Sequence, residues 1–224
     1  ILTDRISSVL FCPTEQAIKN LHQEGFKQFP CTLLNCGDVM QDAALFYANK
    51  AKHPDFLLPE HFILATLHRA ENTDSPERLQ SIIAALEEIA REMPAVIPIH
   101  PRTRKKLQEL NFNFKQTRLQ LVDPVGYLEM VYLLKHCSLV ATDSGGLQKE
   151  AYFFKKYCIT LRTETEWVEL VEQGANIITG WRYEDILNSY KQLKHTTKDV
   201  FSSPLYGDGQ AGHIIIRELQ RIDS

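Results

Sequence analysis

The stretch SLVATDSGGLQKEA, residues 138–151, runs from an apolar segment through two adjacent glycines into a helical pattern. Ser138–Ala141 is mostly apolar rather than alternating, which is the pattern of a strand covered on both faces. Gly145 and Gly146 would let a ligand approach the backbone closely. The helix that follows offers free N–H groups and the positive end of its dipole, a combination suited to phosphate. The stretch matches neither GxxxxGK[ST] nor GxGxxG, so the two usual nucleotide signatures are absent. Glu150, one turn into the helix, can accept two hydrogen bonds from adjacent hydroxyls such as those of a ribose. Taken alone, the stretch reads equally as a glycine-rich turn followed by a surface glutamate.

The same alternation extends along almost the whole chain. Candidate strands are 8–12, 32–35, 62–67, 95–99, 119–122, 138–141, 157–161 and 176–179. Between them, helices are expected over 76–92, from Pro101 through RTRKKLQEL, and over 126–136, 146–156, 164–172, 183–193 and 208–222. The clearest has Ser75 to cap it, Pro76 at its first position, and Leu79, Ile82, Ile83, Leu86, Ile89 and Ala90 along one face. Repeated strand–helix–strand units imply an α/β fold with a parallel, doubly wound sheet. Ligands of such sheets bind at the carboxyl ends of the strands, so the chemistry is sought in the loops there.

Those loops are polar. HRAENTD follows one strand and carries His68, Arg69, Glu71 and Asn72. It reads as a solvated loop with a helix cap, or as an anion or sugar site with His68 as its titratable group. HPRTRK places His100 and Arg102 in the equivalent loop of the next unit, with Arg104, Lys105 and Lys106 on a solvated helix face. DPVGYLEM brings a turn at Asp123-Pro124. Its Tyr127 and Met130 either pack in the core or touch a flat ring. RTETEWVE opens on Arg162, has Thr163, Thr165 and Glu166 as candidate helix caps, and holds Trp167, whose size demands a reason for exposure.

Composition narrows the classes. With 224 residues, 44% hydrophobic, the chain can bury a sizeable core of one or two domains. A formal net charge of −3 gives no basic signature, so no nucleic-acid partner is expected. No apolar run is long enough to span a bilayer and no signal-peptide pattern opens these residues, so no membrane partner is expected. Cys12, Cys31, Cys36, Cys137 and Cys158 are odd in number and lack a CxxC pair. They read as small buried hydrophobes of a protein in the reducing cytoplasm, with no metal site. The chain begins ILTDRISSVLF, without Met, and is expected to be part of a longer polypeptide.

TLHRAENTD, IHPRTRK, GYLEMVYLL, TDSGGLQKEA, LRTETEWVE and YGDGQA occur in the order found in the non-hydrolysing UDP-N-acetylglucosamine 2-epimerases, and LFCPTE and GDVMQDA fit that family's middle region. The chain resembles that family over nearly its whole length. The resemblance implies the second half of a glycosyltransferase-B-type fold of two Rossmann-like domains. Residues 1–50 would be the tail of the first domain and a connecting helix, 51–61 (AKHPDFLLPEH) a linker, 62–206 the UDP-binding Rossmann-like domain, and 207–224 a helix packing back towards the first domain.

It also implies roles. Ser144, Gly145 and Gly146 match the residues that hold the UDP diphosphate, and Glu150 matches the ribose-binding carboxylate. Met130 falls where an aromatic residue often lies beside the uracil. Arg162, at the end of its strand, is grouped with this UDP-binding set. His68 matches a histidine assigned to the active-site region, and Arg69 and His100 match positions of a second, regulatory UDP-sugar site. The implied reaction uses no metal or nicotinamide cofactor: UDP leaves across C1–C2 to give a glycal, the C2 proton is lost, and UDP adds back with the proton on the other face. Most of the acidic residues for that chemistry belong to the first domain, so these residues are expected to bind UDP without turning over the substrate alone. A cytoplasmic homodimer is the expected state of the full-length protein.

Two departures bear on the sugar. Ala70 replaces the second arginine of the common His-Arg-Arg-Glu. Trp167 stands where many members have arginine, a variant found in relatives acting on modified UDP-sugars such as diacetamido-glucuronates. The alternatives are therefore an epimerase of such a sugar, a glycosyltransferase domain of the same fold, and a non-catalytic UDP-sugar sensor.

Overall fold

A computed structural model describes residues 2–222. In chain order, the first elements are α1 (Leu2–Ile6), β1 (Val9–Cys12), α2 (Glu15–Gln23), β2 (Thr32–Asn35) and α3 (Val39–Ala48). Then come β3 (Ile63–Thr66), α4 (Ala70–Thr73), α5 (Pro76–Ile89), β4 (Ala95–Pro98), α6 (Pro101–Glu109), β5 (Gln120–Val122) and α7 (Tyr127–His136). The last are β6 (Leu139–Thr142), α8 (Gly145–Phe153), β7 (Cys158–Thr160), α9 (Val168–Glu172), β8 (Asn176–Ile178), α10 (Tyr183–Lys194) and α11 (Ala211–Ile222). The described residues divide into two compact units, one of residues 2–49 with 202–222 and one of residues 50–201.

The larger unit is a six-stranded, fully parallel sheet in the order β5-β4-β3-β6-β7-β8. The chain winds outward from β3 to β5, returns beside β3 as β6, and winds outward the other way. The crevice where the direction reverses therefore opens between β3 and β6. Both central strands are buried along their whole length. Ile63 and Ala65 join the hydrophobic core on one face, with Leu79, Ile82 and Leu86 of α5 and Ile186 of α10. Leu64 joins the core on the other, with Leu133 and Leu134 of α7 and Leu147 of α8. Consecutive apolar residues in a strand need this two-sided cover, because alternate side chains point to opposite faces.

Local signals set the helices. Ser75 Oγ accepts from Arg78 N at 3.4 Å with Pro76 behind it. Helix α9 begins later than its sequence pattern predicts, at Val168 rather than Glu164. The loop is held by a local pair, Arg162 with Glu166, and by a tertiary bond in which Thr165 donates to Gln148 Oε1 at 2.7 Å. Residues 51–61 carry no helix or strand, yet Phe56 and Leu58 pack against the second core.

The smaller unit holds the parallel pair β1-β2 with α1, α2, α3 and α11. Asp42 on α3 caps α11, accepting from Ala211 N at 3.2 Å and Gly212 N at 2.7 Å. Asp38 N donates to Tyr206 O at 2.8 Å. Beside it Gly37 has φ +83°, and a Cβ there would lie 2.9 Å from Tyr206 O. Gly37→Ala is expected to cost about 1–3 kcal/mol from left-handed strain, with the contact adding to it; chemical denaturation would measure it.

Candidate functional site

A cleft of about 280 Å³ lies at the carboxyl ends of β3, β4, β5 and β6 in the larger unit. Its walls come from four loops. Thr66, Leu67 and His68 enter from β3, Pro98 and His100 from β4, Pro124, Val125 and Met130 from β5 and α7, and Ser144, Gly146, Leu147 and Glu150 from α8. Ser144 caps α8, its Oγ accepting from Leu147 N at 3.4 Å, so the helix starts with Gly145 and Gly146 at the crevice.

Glu150 is 9% exposed. Burial pushes its carboxyl above the usual carboxylate range, against the opposing pull of a Tyr127 hydrogen bond and of Lys149. Gly145 itself does not line the cleft. Trp167 Nε1 donates to its carbonyl at 2.8 Å, and the Lys149 ammonium stands 4.1 Å from the Trp167 ring centroid. A Cβ on Gly145 would have Glu166 Oε2 at 3.5 Å, Trp167 Nε1 at 3.6 Å and an Arg69 nitrogen at 3.8 Å as neighbours.

The loops are tied from beneath by Asp143, which is fully buried. Its Oδ2 accepts from Arg69 N at 2.9 Å, and both its oxygens lie near His68 N, at 3.2 and 3.1 Å. Asn72 Nδ2 donates to Asp143 at 3.3 Å and to Leu161 O at 2.9 Å, joining the ends of β3, β6 and β7. The Thr66 and Thr142 hydroxyls meet at 2.6 Å across the two central strands. A fixed set of helix-start amides beside a largely buried carboxylate can hold an anion on one side and a pair of hydroxyls on the other.

The model of the family described as UDP-N-acetylglucosamine 2-epimerase matches residues 1–220. The chain belongs to this family. It is 51% identical to the UDP-2,3-diacetamido-2,3-dideoxy-D-glucuronate 2-epimerase of Pseudomonas aeruginosa, over 99% of this chain and 62% of that protein. It is 40% identical to a UDP-N-acetylglucosamine 2-epimerase homolog of Methanococcus maripaludis, over 99% of this chain and 63% of that one. The crystal structure of the Methanocaldococcus jannaschii UDP-GlcNAc 2-epimerase in complex with UDP-GlcNAc and UDP superposes with a TM-score of 0.85 at 37% identity, covering 98% of this chain and 63% of that chain. The chain thus spans about three fifths of the length of these epimerases, whose glycosyltransferase-B-type fold it shares.

Of the residues singled out by sequence in this epimerase-family chain, the structure gathers His68, His100, Met130, Ser144, Gly146 and Glu150 around one cleft. Arg162 does not line it. Its two terminal nitrogens are committed to Glu166 at 2.8 and 3.0 Å, and its Nε is 3.9 Å from Glu71. That ion pair raises the Arg162 pKa and holds the Glu166 carboxyl below its usual range. His100 also has a structural task, since its Nδ1 accepts from Arg102 N at 3.2 Å and caps α6. Arg69 reaches the Gly145 and Glu166 side of the loop. Asp143 and Asn72 were not expected as anchors. The signal available was their placement as polar residues in two loops at strand ends. Among the described residues no group of His, Cys, Asp and Glu could hold a metal ion, and no helix is long and apolar enough to cross a membrane.

Proposed function

We propose that this cleft binds the UDP part of a UDP-sugar, and that the protein it serves is a non-hydrolysing UDP-sugar 2-epimerase. The observation that carries the reading is the meeting, in one cleft at the sheet's switch point, of the Ser144–Gly146 helix start and the largely buried Glu150 carboxylate. In this reading the amides of α8 and the Ser144 hydroxyl hold the diphosphate, Glu150 accepts from the ribose hydroxyls, and Met130 lies beside the uracil. The diphosphate leaves C1 as the C2 proton is removed, so the helix start stabilises the charge that develops on the departing UDP. His68 faces the same space and is the chain's own candidate for proton or hydrogen-bond exchange with the sugar. Arg69 and His100 would serve a second UDP-sugar site.

Isothermal titration calorimetry tests the binding half. UDP is expected to bind about tenfold or more tightly than UMP, because the second phosphate adds charge-assisted hydrogen bonds worth about 1.5–3 kcal/mol each. Equal affinities would remove the diphosphate from α8. Residues 1–224 alone are expected to leave UDP-GlcNAc unconverted when followed by proton NMR; conversion to UDP-ManNAc would place the whole reaction within them.

A second reading concerns the sugar. The 51% identity to a diacetamido-glucuronate epimerase against 40% to an N-acetylglucosamine epimerase homolog favours a 2,3-diacetamido-uronate as substrate. Trp167, in the place where many members carry arginine, fits the same choice.

A further inference from the structure

The buried carboxylate of Asp143 does more than tie loops together. It accepts from the main-chain amides of His68 and Arg69 and from Asn72, which fixes the backbone that carries His68. The His68 ring then stands with Nδ1 3.5 Å from Asp143 Oδ1, on the carboxylate side, while its side chain is 45% exposed. His68 at the same time lines the cleft. A carboxylate accepts hydrogen bonds and does not donate them, so a nitrogen facing it is favoured as N–H.

We propose that Asp143 is a positioning residue for His68, holding the imidazole as the Nδ1–H tautomer so that Nε2 presents its lone pair to the cleft. The assignment of the ring rests on Asp143 alone. Its catalytic meaning rests on the reading of the cleft as a UDP-sugar site, where Nε2 is the nitrogen able to take a proton or accept a hydrogen bond from the sugar. The relation is that of a buried acid orienting a histidine, in which the wrong tautomer disables the base while leaving the geometry intact.

The test is long-range proton–nitrogen NMR on 15N-labelled protein at about pH 8, where an ordinary imidazole is neutral. His68→Gln identifies the His68 signals by their loss. In the wild type the nitrogen shifts should report Nδ1–H and a bare Nε2. In Asp143→Asn, the amide oxygen can still accept from the main chain while its NH2 faces Nδ1, so the population should move to Nε2–H. A wild-type His68 carrying its proton on Nε2 would overturn the proposal whatever the variant does, and so would an unchanged Nδ1–H tautomer in the variant. Failure of the wild type to bind UDP would instead sink the functional reading and leave the tautomer assignment standing.

Discussion

Glu150→Gln is expected to weaken UDP binding by about 10- to 100-fold, the loss of one charge-assisted hydrogen bond at about 1.5–3 kcal/mol. The carboxylate is nearly buried and faces the cleft, so its hydrogen bonds to ribose would form away from competing water. Glutamine keeps the shape and one acceptor, which confines the effect to charge and to the second acceptor. The substitution should also raise the unfolding temperature of the ligand-free protein. Burial raises the Glu150 pKa above its value in the unfolded chain. The native state therefore holds this proton more tightly, and the stability so conferred is full below the unfolded pKa and lost as pH rises through the higher native one. At neutral pH, well above the unfolded pKa, burying this acid is a net cost that glutamine removes. Affinity carries the opposite sign. As pH falls through the raised pKa, wild-type Glu150 gains a proton and its advantage over the glutamine variant disappears. Comparing the two proteins at each pH cancels the titration of the phosphate itself. An affinity unchanged by the substitution would take Glu150 out of the site.

Ile63→Ala and Leu64→Ala, neighbours on β3, should each cost about 2–5 kcal/mol. The two side chains point to opposite faces, and each is fully buried in a different core. In a sheet covered on one side only, one of the pair would be solvent-facing and its truncation nearly neutral. Two large and comparable losses in denaturant unfolding are the signature of helices on both faces. A mild effect at either position would contradict the doubly wound arrangement.

The eight strands were legible because their apolar runs are short, rich in Val, Ile and Leu, and bounded by turn residues; each is observed within two residues of its expected limits. The helix at Pro76 was legible for the same kind of reason, its cap and its apolar stripe both being local. Part of what stayed hidden depends on contacts distant in the chain, such as Thr165 drawn to Gln148 seventeen positions away. The Arg162–Glu166 pair is four positions apart, but the same spacing also suited a helix, so the sequence did not say that it would close a loop. The Asp143 anchor joins residues 74 and 75 positions apart, and only the pairing of β3 with β6 brings them together. Helix α2 was unread although Ala17, Ile18 and Leu21 recur along it at helical spacing, because that stripe is only three residues long and none of it is fully buried. The sequence therefore pointed to residues that the fold gathers at one cleft, but not to which of the neighbouring polar side chains are engaged in holding the loops.

The central claim is that the α8 helix start and Glu150 grip the two halves of one UDP. A crystal structure of the protein grown with UDP tests it most directly. The account predicts diphosphate oxygens within hydrogen-bonding distance of the Gly146 amide and the Ser144 hydroxyl, with the ribose hydroxyls on Glu150. A UDP seated elsewhere, or one whose ribose leaves Glu150 untouched, would contradict it.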